Sequence, residues 1–406
     1  MKPKQDLLKE ARDIVSQCDR CGTCHTVCPL FYVKNVESSS ARGKNNIARA
    51  LTQGVLAPSP DMLKAINFCL LCRTCVENCP SKVKTDEAMM AGRQYFADEK
   101  GGPGLKYKAL GSFMKNRRLV KMSASALGVM RKTGVNRFVP LGMAPREFTR
   151  AQYLASFAGP AVLGAPAANS TVALSPKTKT AYFTGCGMRM LCPDAVAETK
   201  NILCSVSAPR FVDNVCCGLP HLAHGMRRDF LTLAKENIRL YEAAEVIITD
   251  CASCSSMLKH VAGYFKDDPQ WQERAAAFSA KIMDLSEYLV QVGYQPRQQV
   301  SARLTFHEPC HLGRGQGIRS QPRELLKATG NYVEMEGADT CCGGAGTFHI
   351  DYPEIAEAVL ANKQKNIEAS GADIVVTACP TCLVQLHKAA QKSGGKFRAM
   401  HLSQVI

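Results

Sequence analysis

No stretch of 18 or more consecutive apolar residues occurs in this 406-residue chain, so no membrane-spanning helix is expected. A full G-x-G-x-x-G is also missing. Gly313-Arg-Gly315-Gln-Gly317 and Gly343-Gly344-Ala345-Gly346 approach it only weakly, so neither a flavin nor a nicotinamide site is expected. Acidic residues are absent between Glu99 and Glu147, where Lys and Arg occur eleven times. That interval supplies most of the net charge of +16. Such charge suits nucleic acid, an acidic protein surface or anionic lipid headgroups. No recognition motif accompanies it, so nucleic acid is not expected as a partner. The opening MKPKQDLLKEARDIVSQC is charged and helical in pattern, unlike a signal peptide. A cytoplasmic protein is expected, with at most peripheral attachment to the cytoplasmic face of a membrane.

What the chain has in quantity is cysteine, 20 residues of it, in a composition 46% hydrophobic that supports packed cores. In a short secreted chain this would read as disulfides. Clustered CxxC spacing in a long intracellular chain reads as metal binding. Cys18-x2-Cys21-x2-Cys24-x3-Cys28-Pro29 recurs as Cys69-x2-Cys72-x2-Cys75-x3-Cys79-Pro80. Both match the run of two-cluster ferredoxins, whose fourth cysteine ligates the other cluster. Cys18, Cys21, Cys24 and Cys79 are therefore expected to hold one [4Fe–4S] cluster, and Cys69, Cys72, Cys75 and Cys28 the second. Pro29 and Pro80 are expected to break a helix after each fourth ligand. Between the runs, SSSARGKNNIARALTQG reads as a helix with Ser40 as its N-cap and Gly54 beyond its end. Arg42 and Lys44 on it could steady cluster charge, dock a partner or simply be solvated. Residues 1–100 thus read as an α-helical ferredoxin domain.

Residues 101–178 read as a connector. Leu105, Leu110, Phe113, Met114, Leu119, Val120 and Met122 alternate with Lys106, Lys108, Lys115, Arg117, Arg118 and Lys121. That is a basic amphipathic helix, suited to packing on its own domain or, over 104–139, to a partner or a membrane surface. Residues 151–178 look like a loose linker.

From Thr180 the period changes, and a five-cysteine pattern occurs twice. Cys186, Cys216-Cys217, Cys251 and Cys254 advance by 30, 1, 34 and 3 positions. Cys310, Cys341-Cys342, Cys379 and Cys382 advance by 31, 1, 37 and 3. Similar short hydrophobic strands precede the outer groups, TAYFTGC and RLTFHEPC, then EVIITDC and DIVVTAC. This is an internal duplication, 179–300 and 301–406. Strands alternating with helices predict an α/β layer with a mostly parallel sheet, and the cysteines fall where such sheets bind ligands, at strand carboxyl ends. The last helix of each copy is expected to start inside CxxC. Gly218 and Gly343 permit the tight turn that aims both adjacent sulfurs inward. Five thiolates exceed the four of a structural zinc and suit an iron–sulfur cluster, with buried structural cysteine or zinc as the plainer alternative. Cys192 and Cys204 belong to neither set and are expected to be small buried hydrophobes. His307 and His311 flank Cys310, while His221, His224 and His349 follow the CysCysGly turns. Each could serve a substrate, a cluster sulfur or packing alone.

A double ferredoxin run followed by two C…CCG…CxxC repeats resembles the cysteine-rich CCG family. That family includes the iron–sulfur subunits of glycolate oxidase and of respiratory D-lactate dehydrogenases, and the catalytic subunits of heterodisulfide reductase. ARGKNNIARAL, CLLCRTCVENCPSKVKTDEAMMAGR, FHEPCHLGRGQGI and CCGGAGTF look most like the glycolate and lactate group. The resemblance implies a non-catalytic electron-transfer subunit of an FAD-dependent D-lactate or glycolate dehydrogenase. Its FAD would sit in a partner subunit, and its electrons would pass to a quinone, a cytochrome or a membrane subunit. It also implies one or two noncubane [4Fe–4S] clusters on the two sets of five cysteines, with zinc as an alternative in the first. Many glycolate oxidase subunits lack a CxxC cysteine, whereas both pairs are complete here. That feature resembles the disulfide-reducing enzymes and keeps heterodisulfide or thiol–disulfide reduction as the second reading.

Overall fold

The computed structural model describes residues 4–100, 102–133, 179–296 and 299–406. The expected linker at 151–178, and the part of the connector beyond 133, lie outside the described residues. The chain divides into two compact units.

The first unit comprises residues 1–113, 218–233 and 343–359. Helices Lys4–Ser16, Ala41–Thr52, Pro60–Asn67 and Thr85–Glu99 enclose one core. Val15, Ala48, Leu51, Ile66, Ala88, Met89 and Phe96 fill it, each at helical spacing along its own element. Ser40 caps Ala41–Thr52 as its sequence predicts, its Oγ accepting from Gly43 N at 2.9 Å. Gly43 is fixed by contact, because a Cβ there would lie 2.0 Å from the Glu37 carbonyl oxygen. Pro29 does not end a helix here. It opens Pro29–Lys34, with Cys28 as N-cap, because a first-turn proline gives up no intrahelical hydrogen bond.

Segments that follow both CysCys pairs belong to this unit. His221 Nε2 lies 3.0 Å from Gly111 O, and His224 stacks on Tyr107 at 4.0 Å and shares a 2.8 Å hydrogen bond with Thr347 Oγ1. Phe68 meets Phe348 at 5.7 Å and Tyr352 at 5.1 Å between ring centroids. Lys106 of helix Leu105–Lys115 pairs with Asp351 at 3.0 Å. The start of the basic connector is thus packed on its own unit.

The second unit comprises residues 114–217, 234–342 and 360–406, and its described residues form two sheets of identical topology. In the first, β1 (Thr180–Tyr182), β2 (Arg210–Phe211), β3 (Val246–Thr249) and β4 (Ile282–Asp284) run in the order β2-β1-β3-β4. In the second, β5 (Val300–Phe306), β6 (Gly330–Tyr332), β7 (Ile374–Thr377) and β8 (Arg398–His401) run β6-β5-β7-β8. Every pairing is parallel. Buried Ile-Val runs are what a parallel sheet covered on both faces requires, and Ile374–Thr377 is buried throughout. Helix Arg117–Thr133 also belongs here, and Arg117 pairs with Glu236 and Lys121 with Asp213.

The strands expected immediately before the CysCys pairs are short and end early, at Phe211 and Tyr332. Asn214 continues the first ladder with its side chain. Its Oδ1 accepts from Thr184 N at 3.1 Å and its Nδ2 donates to Thr184 O at 3.0 Å. A side-chain amide there does the work of one further strand rung.

Candidate metal centres

Both ferredoxin-type runs impose the same unusual backbone. The residue before the second cysteine and the one after it are left-handed in each, Arg20 and Gly22 in the first, Leu71 and Arg73 in the second. A non-glycine residue in that region costs roughly 1–2 kcal/mol. Placing Leu71 and Arg73 there signals that cysteine geometry outweighs local preference. In each run the next threonine contacts the second cysteine, Thr23 Oγ1 to Cys21 Sγ and Thr74 Oγ1 to Cys72 Sγ, both at 3.3 Å.

Cys28, fourth in its own run, lies among cysteines of the other run. Burial pushes its thiol up, and the neighbouring Cys72 and Cys69 push it further. Burial raises Cys75 well above the usual thiol range, with Cys72, Cys69 and Cys28 adding to it. Cys24 is raised by burial, with Cys18 and Cys21 beside it. Ser81 donates to Asp19, tying the loop after Cys79 to that between Cys18 and Cys21. Arg49 Nη2 donates to the carbonyls of Val15 at 2.6 Å and Cys18 at 3.0 Å, fixing the loop entrance.

Helix Ala41–Thr52 faces both groups with cations. Arg42 forms a two-pronged pair with Glu37 and lies within electrostatic reach of Cys24 and Cys18. Lys44 is buried, donates to Ser39 O and sits 5.7 Å from the Phe68 ring centroid. Burial lowers its pKa, and Cys69, Cys28 and Cys75 oppose that shift.

In the first repeat the sulfurs form a chain of contacts. Cys186 Sγ lies 3.5 Å from Cys216 Sγ. Cys216 contacts Cys217, Cys217 contacts Cys254, and Cys254 contacts Cys251. In the second repeat Cys341 contacts Cys342, Cys342 contacts Cys382, and Cys382 contacts Cys379. Cys310 follows β5 as Cys186 follows β1. Gly218 and Gly343 take φ of +88° and +78°, and a Cβ would meet Phe230 Cδ2 at 2.6 Å or Ala356 O at 2.5 Å. The helices Ala252–Lys259 and Pro380–Lys392 begin inside CxxC, with Cys251 and Cys379 as their N-caps. The two sets meet at that point. Cys251 and Cys379 are in hydrogen-bond contact, and Ala252 N donates to Ala378 O at 2.9 Å.

His307 is brought to the second set. A ring nitrogen and the sulfurs of Cys342 and Cys382 lie within 4.8 Å of one another, and burial keeps the ring's pKa low. His311 Nδ1 lies 3.3 Å from Ser253 Oγ. His221, His224 and His349 are packing groups, the last with Nδ1 3.1 Å from Gly344 O. The glycines at 313 and 315 are also explained by packing, since a Cβ would lie 1.9 Å from Glu308 Oε1 or 2.7 Å from Ser256 Oγ. Cys192 is buried as expected, but Cys204 is exposed, because its position on helix Pro193–Val206 turns away from the buried Ile202 and Leu203.

One group the sequence did not single out is Lys363. Its Nζ is buried and donates to Gly337 O at 2.6 Å and Ala338 O at 3.1 Å. Burial lowers its pKa to about 8, against the opposing pull of Cys342, Asp339, Cys341 and Cys382. The donor chemistry fits anionic iron–sulfur groups. None of the 20 cysteines is joined in a disulfide, the CysCys and CxxC sulfurs of each repeat lie in contact, and buried ammonium groups stand near two of the sets.

The family of cysteine-rich CCG domains matches residues 180–259 and 304–387, and the 4Fe-4S dicluster domain matches residues 14–83. The chain is 30% identical to a probable glycolate oxidase iron-sulfur subunit of Bacillus subtilis, covering 100% of this chain and 97% of that protein. It is 33% identical to lactate utilization protein A of Halalkalibacterium halodurans over 56% of this chain and 96% of that one. Likeness extends to one subunit of the fumarate reductase (CoM/CoB) of Methanothermobacter marburgensis, 31% identical over 58% of this chain and 47% of the other.

Proposed function

The chain belongs to the cysteine-rich CCG family of glycolate oxidase and lactate utilization iron–sulfur subunits, and from that premise we propose that it is the electron-transfer subunit of an FAD-dependent D-2-hydroxyacid dehydrogenase. A separate flavoprotein oxidises D-lactate or glycolate at the α-carbon. This chain takes the two electrons from the reduced flavin and delivers them singly to a quinone, a cytochrome or another carrier. Cys18, Cys21, Cys24 and Cys79 hold one [4Fe–4S] cluster, and Cys69, Cys72, Cys75 and Cys28 the other. Cys186, Cys216, Cys217, Cys251 and Cys254 serve the first repeat, and Cys310, Cys341, Cys342, Cys379 and Cys382 the second. When bound, such clusters supply one-electron steps. The protein's own residues set the charge around the sulfurs, through Lys44, Arg42, Lys363 and His307.

The observation that carries this reading is the distribution of thiols. All but Cys192 and Cys204 of the 20 cysteines belong to the four expected groups. The test uses anaerobically purified protein mixed with its flavoprotein. D-lactate or glycolate should bleach the iron–sulfur absorbance, and only when the flavoprotein is present. Colourless, zinc-filled protein would overturn the reading.

Complete CxxC pairs in both repeats support a second reading, reduction of a heterodisulfide at a CCG site. Heterodisulfide turnover by this chain without any flavoprotein would favour it over the relay.

A further inference from the structure

The duplication supplies an internal control for the surroundings of the two five-cysteine sets. Tyr182 pairs with Ile248 and Phe306 with Val376 in the same register, so Phe183 corresponds to His307. Gly218 abuts Phe230 and Gly343 abuts Ala356, so seven residues further along, Asn237 corresponds to Lys363. Asp250 and Ala378 each precede the first cysteine of CxxC. Thr249 pairs with Asp284 and Thr377 with His401, so those two correspond as well. All eight side chains are buried, none more than 2% exposed.

Each of the four differences has the same electrical sense. Around the first set stand a phenyl ring, an amide and two carboxyl groups. Asn237 Nδ2 donates to Cys216 O at 3.0 Å. Asp250 accepts from Tyr182 Oη and Thr199 Oγ1, both at 2.9 Å. Asp284 accepts from the Oγ of Ser255, the residue after Cys254, at 3.3 Å, and from Ser286 N and Oγ. Around the second set stand the His307 imidazole, an ammonium group and a methyl group, while the neutral His401 ring lies between the two CxxC segments, 2.9 Å from Asp250 O and within electrostatic reach of Cys379. A His307 ring nitrogen lies within 4.8 Å of the sulfurs of Cys342 and Cys382, and Lys363, its Nζ donating to Gly337 O and Ala338 O, is within electrostatic reach of Cys342, Cys341 and Cys382. One opposing difference, Glu308 in place of Thr184, is neutralised by Arg319 at 2.5 Å and Arg323 at 2.8 Å. Charges buried in this way are little screened by salt.

We propose that the two cysteine sites form a donor–acceptor pair. The first is biased to a low reduction potential by Asp250 and Asp284, and the second to a high one by Lys363 and His307. This deepens the electron-transfer reading and rests on it. With both sets of cysteines holding clusters, a single electron would pass from the first site to the second by way of the Cys251–Cys379 contact, with no bond formed or broken and no proton moved. The second repeat would then be the side that serves the outgoing carrier.

The test is an anaerobic redox titration of the full chain, followed by electron paramagnetic resonance, with iron and sulfide measured on every sample. Lys363→Met should lower one resolved potential. Asp250→Asn, which keeps the shape of the side chain, should raise a different one. Each change should alter the reduced-to-oxidised ratio at fixed poise about tenfold, or about 59 mV for a one-electron couple. The two ferredoxin-type waves should stay in place. Unmoved potentials at full iron content would overturn the polarity while leaving the electron-transfer reading intact. Absence of iron in the unmodified protein would sink both. Should Lys363→Met lose iron, Asn237→Lys decides the matter, since it must raise the first site's potential if the proposal holds and leave it unchanged if not.

Discussion

Ser253 Oγ, carried between the two cysteines of the first CxxC, lies 3.4 Å from the sulfur of Cys379 in the second repeat. The hydroxyl helps hold the Cys379 thiol well below its usual range, after the larger effects of Cys251 and Cys382. Ser253→Ala should therefore raise electron density on that sulfur without disturbing the fold. A hydrogen bond to a charged group is worth about 1.5–3 kcal/mol. The second repeat's reduced fraction at fixed poise should fall, with iron content unchanged. Redox titration checks this, and an unmoved wave would show that the hydroxyl faces His311 alone.

Gly343→Ala should remove the second repeat's metal selectively. The new Cβ would lie 2.5 Å from the Ala356 carbonyl oxygen, at a φ of +78°. Left-handed alanine costs roughly 1–2 kcal/mol and overpacking about 1–3 kcal/mol more. Relief of either strain shifts the backbone next to Cys341 and Cys342. Iron per chain should drop, the ferredoxin-type signals should persist, and the melting temperature should fall. Gly218→Ala, facing the more movable ring of Phe230, should cost less.

Local spacing explains what could be read in advance. Cysteines that share a metal within a short loop must recur at fixed intervals, so both ferredoxin-type runs and both repeats are visible as strings of letters. Parallel strands buried on both faces leave apolar runs such as Ile374–Thr377, and Ser40 marks a helix start by its own hydrogen-bonding chemistry. Lys363 was illegible because its role depends on a helix face meeting sulfurs about twenty positions away, and an ordinary lysine in a polar stretch carries no such signal. The glycines of GRGQG look like a phosphate loop until Glu308 and Ser256 are seen against them. Asn214 could not be foreseen as a substitute strand rung, since its hydrogen bonds exist only after β1 and β2 are aligned.

Lys44→Met should make the centre served by Cys28, Cys69, Cys72 and Cys75 harder to reduce. The ammonium group is buried beside three of those sulfurs, so its charge acts at low effective dielectric. At an effective dielectric near 20, a unit charge several ångströms away is worth on the order of 2 kcal/mol. That corresponds to a shift of more than about tenfold in the reduced fraction. Arg42→Gln should act on the other centre and by less, because Arg42 is more exposed and already paired with Glu37. Spectroscopic titration of both variants checks the order, and equal shifts would contradict it.

Acid should destabilise the first unit partly through His224, whose pKa burial lowers to about 4, with Arg93 adding to the effect. In the unfolded chain the ring titrates near 6.5. Above that value the ring is neutral in both states and contributes no slope. As pH falls from about 6.5 toward 4, the unfolded state binds a proton that the folded state refuses, so stability is lost. Between pH 6.5 and 5 the loss is about 2 kcal/mol for this one group. His224→Gln should cost stability at pH 7.5, through the lost Tyr107 stacking and Thr347 hydrogen bond, yet lose less on acidification. His387 and His401 of the second unit are also depressed to about 4, so the slope measured on the whole chain should shrink without vanishing. Denaturant titrations at pH 7.5 and 5 measure the difference, and parallel losses in both proteins would mean that His224 is protonated in the fold.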